Sequence, residues 1–135
     1  MSRVNIPFYD LKSINSKYFD SFIDSVERVI NSGIHMIGHE TEAFENSFAK
    51  YCGTKYCIGV GNGLDALILT LRAYIELGFM KENDEVIVPA NTYIATILSI
   101  SESKLKPILV EPDIKTYNID CSKIEASITD RTKAI

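Results

Sequence analysis

Lys55-Tyr56-Cys57-Ile58-Gly59-Val60-Gly61-Asn62-Gly63-Leu64-Asp65-Ala66 is the stretch that decides the fold. Its first six residues form a short apolar run, read as a buried strand. Gly61-Asn62-Gly63 breaks the run. Leu64, Leu67, Ile68, Leu71, Tyr74 and Ile75 then recur at helical spacing until Gly78 closes the helix. A strand that turns through glycines into a helix leaves free main-chain amides at the helix start, and these favour an anion. Two glycines let the backbone turn tightly and come close to a ligand. A phosphate is the natural guest; a tight turn with no ligand is the plainer alternative.

Working outward, the same alternation continues. Glu85-Val86-Ile87-Val88 reads as a second strand, stopped by Pro89, and Asn91 or Thr92 opens a helix carrying Ile94, Ile97, Leu98 and Ile100. Pro107-Ile108-Leu109-Val110 is a third strand. Asp120 caps a short helix with Ile124 and Ile128, and Lys133-Ala134-Ile135 looks like the entry to another strand. Nearly all-apolar strands alternating with helices predict an α/β fold with a mostly parallel sheet covered on both faces and joined by right-handed crossovers. Ligands of such sheets bind at the carboxyl ends of the strands, which directs attention to residues 61–65, 89–93 and 111–113.

Upstream, Ile14, Tyr18, Phe19, Phe22, Ile23, Val26, Val29 and Ile30 mark one face of a helix over residues 13–31, with Gly33 as its C-terminal cap. Residues 34–40 read as a loop. Thr41 is placed to cap a second helix that carries Phe44, Phe48 and Tyr51 and ends at Gly53. The chain therefore divides into an amino-terminal helical segment, residues 1–54, and the first part of an α/β domain, residues 55–135. Ending on the entry to a strand predicts a truncated chain, a fragment of a longer polypeptide; a short edge strand closing a small domain is the alternative.

With 135 residues, 46% of them hydrophobic, the chain can bury one core but not two full domains. Lys and Arg number 14 against 18 Asp and Glu, a net charge of −4, which argues against nucleic acid or an anionic membrane as the main partner. No apolar run approaches the roughly 18 residues that cross a bilayer, and Met1-Ser2-Arg3-Val4-Asn5 precedes no secretory h-region. Cys52, Cys57 and Cys121 form no disulfide framework and read as reduced thiols of a cytoplasmic protein. With two histidines in the chain and no C-x-x-C, a structural zinc site is not expected.

The choice of phosphate ligand narrows further. A P-loop needs Gly-Lys-Ser/Thr, and here Leu64 follows Gly63. Gly61-x-Gly63-x-x-Ala66 does meet the looser dinucleotide pattern, but that reading wants an acid at the carboxyl end of the next strand. The acids of that strand, Asp84 and Glu85, lie at the wrong end. A Rossmann-like oxidoreductase fragment is the weaker reading. Asp65 is more simply a first-turn acid that offsets the helix dipole. Tyr93, at the end of the second strand, could stack on a flat heteroaromatic ligand whose phosphate sits at Gly63-Leu64.

Ile6-Pro7-Phe8-Tyr9-Asp10-Leu11, Ser32-Gly33 through Gly38, Phe44-Glu45, residues 59–67, residues 88–96 and Thr116-Tyr117-Asn118-Ile119-Asp120 occur here in one order. In that order they resemble the DegT/StrS-type sugar-nucleotide aminotransferases, over the whole chain. Residues 62–67 with Leu71-Arg72-Ala73-Tyr74 most resemble the branch acting on dTDP-linked 3-keto-6-deoxy sugars. The resemblance implies pyridoxal 5′-phosphate on a fold type I, aspartate-aminotransferase-like transferase, of which this chain would be the amino-terminal part of the large domain. Carried over residue by residue, it implies that Asn62, Gly63 and Leu64 cradle the cofactor phosphate and that Tyr93 stacks on the pyridine ring. Residues 34–39 would lie near the sugar substrate or a partner subunit. His35 and His39 have the spacing of a metal pair, but the glycines around them suggest loop, so no metal is expected.

In the full enzyme an amino acid, glutamate, would donate its amino group to a keto sugar nucleotide, a dTDP-3-keto-6-deoxyhexose, for surface polysaccharide or O-antigen biosynthesis. The resemblance also implies a cytoplasmic homodimer, with the first helix and residues 34–37 as candidate contacts. The Schiff-base lysine is expected beyond Ile135, with the aspartate for the ring nitrogen and a second phosphate-binding serine. None of the lysines present, Lys104, Lys106 and Lys133 included, sits in the family's lysine motif. The chain alone is therefore expected to be inactive, and a non-catalytic truncated product stays open beside the enzyme reading.

Overall fold

The computed structural model describes residues 6–135, so the reading of Met1-Ser2-Arg3-Val4-Asn5 lies outside the described residues. The chain divides into two units, Met1–Gly59 and Val60–Ile135.

The first unit holds α1 (Leu11–Ser16), α2 (Phe19–Ser32) and α3 (His39–Cys52). The single helix expected over residues 13–31 is thus two. Asp10 caps α1 by accepting from the Ser13 amide at 3.0 Å. At the break, the amides of Lys17 and Tyr18 donate to carbonyls three residues back, which tightens the last turn. The Ser16 hydroxyl donates to the Ser13 carbonyl, a local bond that favours a helix end. Gly33 and Gly53 close α2 and α3 with φ of 67° and 70°, as their places after the periodic runs predict. The start of α3 corrects the expectation of a Thr41 cap. Gly38 is the N-cap, and its carbonyl accepts from Glu42 N–H at 3.1 Å. A Cβ on Gly38 would lie 3.0 Å from Ile34 Cγ2, so the close approach of Ile34 accounts for a glycine there.

In the second unit β1 (Glu85–Pro89) is the middle strand of a three-stranded parallel sheet, flanked by β2 (Lys106–Val110) and β3 (Thr132–Ala134). Helix α4 (Gly63–Glu76) precedes β1, and α5 (Ile94–Glu102) crosses from β1 to β2. Helix α6 (Cys121–Ile124) continues as a 3-10 turn over Glu125–Ser127 before β3. The α/β alternation and the parallel sheet agree with the sequence reading. Val86 and Val88 share one face of β1 and pack with Met80, Ile100 and Leu105, with Leu71, Ile75 and Ile97 against them. Ile87 points to the other face and is 0% exposed. Cover is incomplete at β2, where Leu109 is exposed.

Three expectations change here. Residues 55–60 join no ladder and are not a strand: Tyr56 and Ile58 are exposed. An apolar run expresses a preference for burial, but a strand exists only where a neighbour pairs its N–H and C=O groups. Gly59 N–H donates instead to Glu45 Oε1 at 2.6 Å. Helix α5 starts at Ile94, with Tyr93 as its N-cap, rather than at Asn91 or Thr92. Helix α6 ends at Ile124, so Ile128 follows it in extended conformation.

A buried carboxylate ties the sheet together. Glu85, 2% exposed, accepts from Thr129 Oγ1 at 2.6 Å, Arg131 Nη2 at 2.8 Å and Lys106 Nζ at 3.4 Å. The Thr129 hydroxyl, then the Lys106 bond and the Arg131 and Lys106 charges, hold its carboxyl below the usual range against the opposing effect of burial. Glu85 N–H also donates to the Arg131 carbonyl at 2.8 Å, which seats β3 beside β1.

Candidate functional site

Asn62 is the N-cap of α4. Its Oδ1 accepts from Asp65 N–H at 3.0 Å, and its Nδ2 donates to Asp65 Oδ2 at 2.9 Å. The Asn62 carbonyl accepts from Ala66 N–H at 3.1 Å. These bonds use the third and fourth amides of the helix start. The first two, on Gly63 and Leu64, have no acceptor among the described residues.

The two glycines of the turn have different reasons to be glycine. Neither adopts a left-handed φ, so the turn itself does not require them. A Cβ on Gly61 would sit 2.7 Å from Asp65 Oδ2, so the carboxylate occupies that side. A Cβ on Gly63 would meet nothing within 4 Å. Nothing in the packing of the described residues asks for glycine at 63, and the space beside it lies next to the two free amides.

Tyr93 follows the carboxyl end of β1 and is 80% exposed. It borders the same cavity as the glycine turn, a space of about 570 Å³. Small-molecule sites usually span roughly 300–1,000 Å³. From α4 come Asn62, Gly63, Leu64 and Leu67; from the start of α5 come Tyr93, Ile94, Ala95 and Thr96, with Leu98 beyond. All four residues singled out in the sequence, Asn62, Gly63, Leu64 and Tyr93, therefore meet around one space. The third strand end, residues 111–113, does not line it. Asp113 Oδ1 is used in its own turn, accepting from the amides of Lys115 and Thr116 at 3.0 and 2.9 Å. His35 and His39 belong to the first unit, where they border a cavity of about 260 Å³ beside the Arg28–Glu40 ion pair, 2.7 Å apart. Among the described residues no group of three or more His, Cys, Asp or Glu could hold a metal ion.

Sequence reasoning missed the second helix start. With a helix start at Asn91 or Thr92, the sequence makes Ile94, Ala95 and Thr96 helix body, whereas they form the first turn of α5. A signal was present: Thr92 and Thr96 stand four apart, and their Oγ1 atoms lie 3.1 Å from each other. The helical period places Leu67 and Leu98 on helices without marking them for the site, yet both border the cavity.

Chemically, the arrangement offers two free amides beside open space, an apolar wall of leucines and an exposed phenol ring. That combination suits a flat aromatic body with an anionic group at one end. The lining contains no lysine. It also lacks the acid that a dinucleotide ribose needs: Asp84 and Glu85 are buried at the amino end of β1, and the strand ends in Val88-Pro89. Among the described residues no helix is long and apolar enough to cross a membrane.

Residues 18–135 match the DegT/DnrJ/EryC1/StrS aminotransferase family. The chain is 59% identical over 131 residues to the dTDP-3-amino-3,6-dideoxy-alpha-D-galactopyranose transaminase of Aneurinibacillus thermoaerophilus, covering 96% of this chain and 35% of that protein. It is 41% identical to the dTDP-3-amino-3,4,6-trideoxy-alpha-D-glucose transaminase of Streptomyces venezuelae, covering 96% of this chain and 33% of the relative. Among solved structures, S. venezuelae DesV in complex with a ketimine intermediate superposes with a TM-score of 0.83 at 38% identity, over 96% of this chain and 34% of that one. NtdA from Bacillus subtilis with bound cofactor PMP superposes with a TM-score of 0.82 at 28% identity, over 98% and 30% respectively. The chain thus spans about a third of the length of the relatives it matches.

Proposed function

Because the chain belongs to the DegT/DnrJ/EryC1/StrS aminotransferase family and has the α/β architecture of fold type I transferases, we propose that it is the cofactor-binding amino-terminal part of a pyridoxal 5′-phosphate-dependent sugar-nucleotide aminotransferase. The observation that carries the reading is Gly63: a glycine that the described packing does not require, beside two free amides, in the same cavity as Tyr93. When bound, pyridoxal phosphate would supply an electron sink for the negative charge that develops during amino-group transfer, and a carbonyl carbon to carry the nitrogen. The chain's own part is to bind and orient. The amides of Gly63 and Leu64 hold the phosphate, with Asn62 setting the helix start and Tyr93 covering the ring face. An inverse arrangement would not serve, because the helix dipole favours negative charge at this end.

The relatives support a reaction for the whole enzyme. Similarity to two dTDP-3-amino sugar transaminases supports transfer of an amino group to a dTDP-3-keto-6-deoxyhexose; in this reading the donor is glutamate and the product serves surface polysaccharide or O-antigen biosynthesis. The same reading takes the enzyme to be a cytoplasmic homodimer and divides this chain into a helical segment, residues 1–54, and the first part of the large domain, residues 55–135. These 135 residues supply the phosphate cradle and the stacking face but no amine at the cavity, and so do not turn over alone.

Two measurements test this. Incubating the full enzyme with glutamate and dTDP-3-keto-6-deoxyhexose should give the amino sugar nucleotide by mass spectrometry; an unchanged keto sugar rejects the reaction. Titrating this chain with pyridoxamine 5′-phosphate should show saturable binding, weakened by about 1 kcal/mol in Tyr93→Ala through lost stacking. Gly63→Val should weaken it more, since its side chain enters the phosphate space. Equal affinities in all three proteins would remove the site.

A further inference from the structure

We propose that Thr92 and Thr96 are positioning residues for Tyr93, a hydroxyl bridge that fixes which face the ring offers to the cavity; this rests on the cofactor reading above. Their Oγ1 atoms lie 3.1 Å apart and both residues are half-buried. Tyr93 sits between them as the N-cap of α5, with φ −64° and ψ 137°, and its carbonyl accepts from Thr96 N–H at 3.0 Å. Its main chain is therefore held on both sides.

The ring has no comparable support. It is largely exposed, and among the described residues it forms no aromatic pair. An unpacked ring points where its main chain aims it, among a few staggered rotamers. Ordering such a ring at the moment of binding costs entropy, and fixing its backbone beforehand lowers that cost. An N-cap is usually a residue whose side-chain oxygen closes the helix start. Tyr93 makes no such bond. The bridge between the residues on either side instead ties the segment before Tyr93 to the first turn of α5. An aromatic can then occupy the N-cap, while the first-turn residues Ile94 and Ala95 stay at the cavity wall. A serine or asparagine at 93 would cap the helix better but would give the cavity no ring.

Pyridoxamine 5′-phosphate is the probe of choice, because it lacks the aldehyde that would react with surface lysines. Its dissociation constant and its fluorescence quenching at saturation are measured on this chain. Thr96→Val and Thr92→Val keep the side-chain shape and remove one hydroxyl each. Each should weaken binding about fivefold, the size of one hydrogen bond, and reduce the quenching at saturation. The double variant should be no worse than either single one, since both remove the same bridge. Thr96→Ser should restore both readouts. A brace that only stabilised the helix would change melting but leave quenching at saturation untouched, and that result overturns the proposal. Wild-type binding and quenching in Thr96→Val, alongside weakened binding in Tyr93→Ala, likewise overturns the bridge and leaves the cofactor site standing. Wild-type binding in Tyr93→Ala, or no saturable binding by the parent chain, removes the cofactor reading and the bridge with it. Far-UV circular dichroism checks folding; should Thr96→Val not fold, Thr92→Val carries the same comparison.

Discussion

Helix α2 and strand β1 both line up large apolar side chains, and they end in opposite situations. Helix α2 spans 14 residues with Phe19, Phe22, Ile23, Val26 and Ile30 along one face, yet none of its residues is buried, and Phe22 is 50% exposed. Strand β1 spans 5 residues and buries four of them in succession. Periodicity orders a face in α2, but only a partner surface removes it from water. In β1 the strand β2 pairs along the whole length and β3 pairs at Glu85 and Val86, and side chains from α5 and its surroundings close on Val86 and Val88. An apolar face is therefore a poor guide to which region of this chain is its core.

The contrast has measurable consequences, the largest at Ile87. Ile87→Ala should cost about 3 kcal/mol in urea unfolding of the second unit, the usual range for emptying a fully buried site. A loss below about 1 kcal/mol would mean that the site is not packed as described. Next comes Glu85, which binds β3 and β2 to β1. Its depressed pKa means that it contributes stability above the unfolded value, about 4.3 for a free glutamate, and that this contribution disappears as pH falls through the lower folded value. Glu85→Gln should thus be less stable than the parent at neutral pH and flatter below about pH 4.3. Parallel stability–pH curves for the two proteins would exclude Glu85 as the linked group.

Smaller effects sharpen the difference between the units. Asn62→Ala removes the α4 cap and should cost about 1 kcal/mol in the second unit, with Asn62→Gly costing less. Hydrogen exchange at the amide of Asp65, which donates to the Asn62 side chain, reads this directly. At the low end, Phe22→Ala on the exposed face of α2 should change stability by less than about 0.5 kcal/mol. A cost near that of Ile87→Ala would show that α2 is covered in solution.

The candidate site was legible in unequal parts. Asn62, Gly63 and Leu64 were readable because glycine and asparagine punctuate chains locally: the cap that Asn62 makes involves Asp65, three residues away. Tyr93 is readable from its place in the loop that leaves the carboxyl end of β1, four residues past Pro89. Its neighbours are not, because the sequence puts the start of α5 at Asn91 or Thr92, two or three residues before Ile94, and caps supplied by Ser, Thr, Asn or Asp are what sequence reasoning looks for. Residues 55–60 failed for a different reason. Their composition is that of a strand, but pairing is a property of two segments, and no described segment pairs with this one.

What the order of residues determined unaided was local: where helices end at Gly33, Gly53 and Gly78, the apolar strands on either side of α5, and the turn that frees two amides. Each depends on contacts within a few residues, whose energetics the chain carries with it. What only the tertiary structure decided was long-range: which apolar face is buried, that Glu85 reaches Thr129 and Arg131 more than forty residues away, and that Gly63 and Tyr93, thirty positions apart, border one space. Such contacts close large loops, so their formation depends on the whole fold and not on the residues that make them.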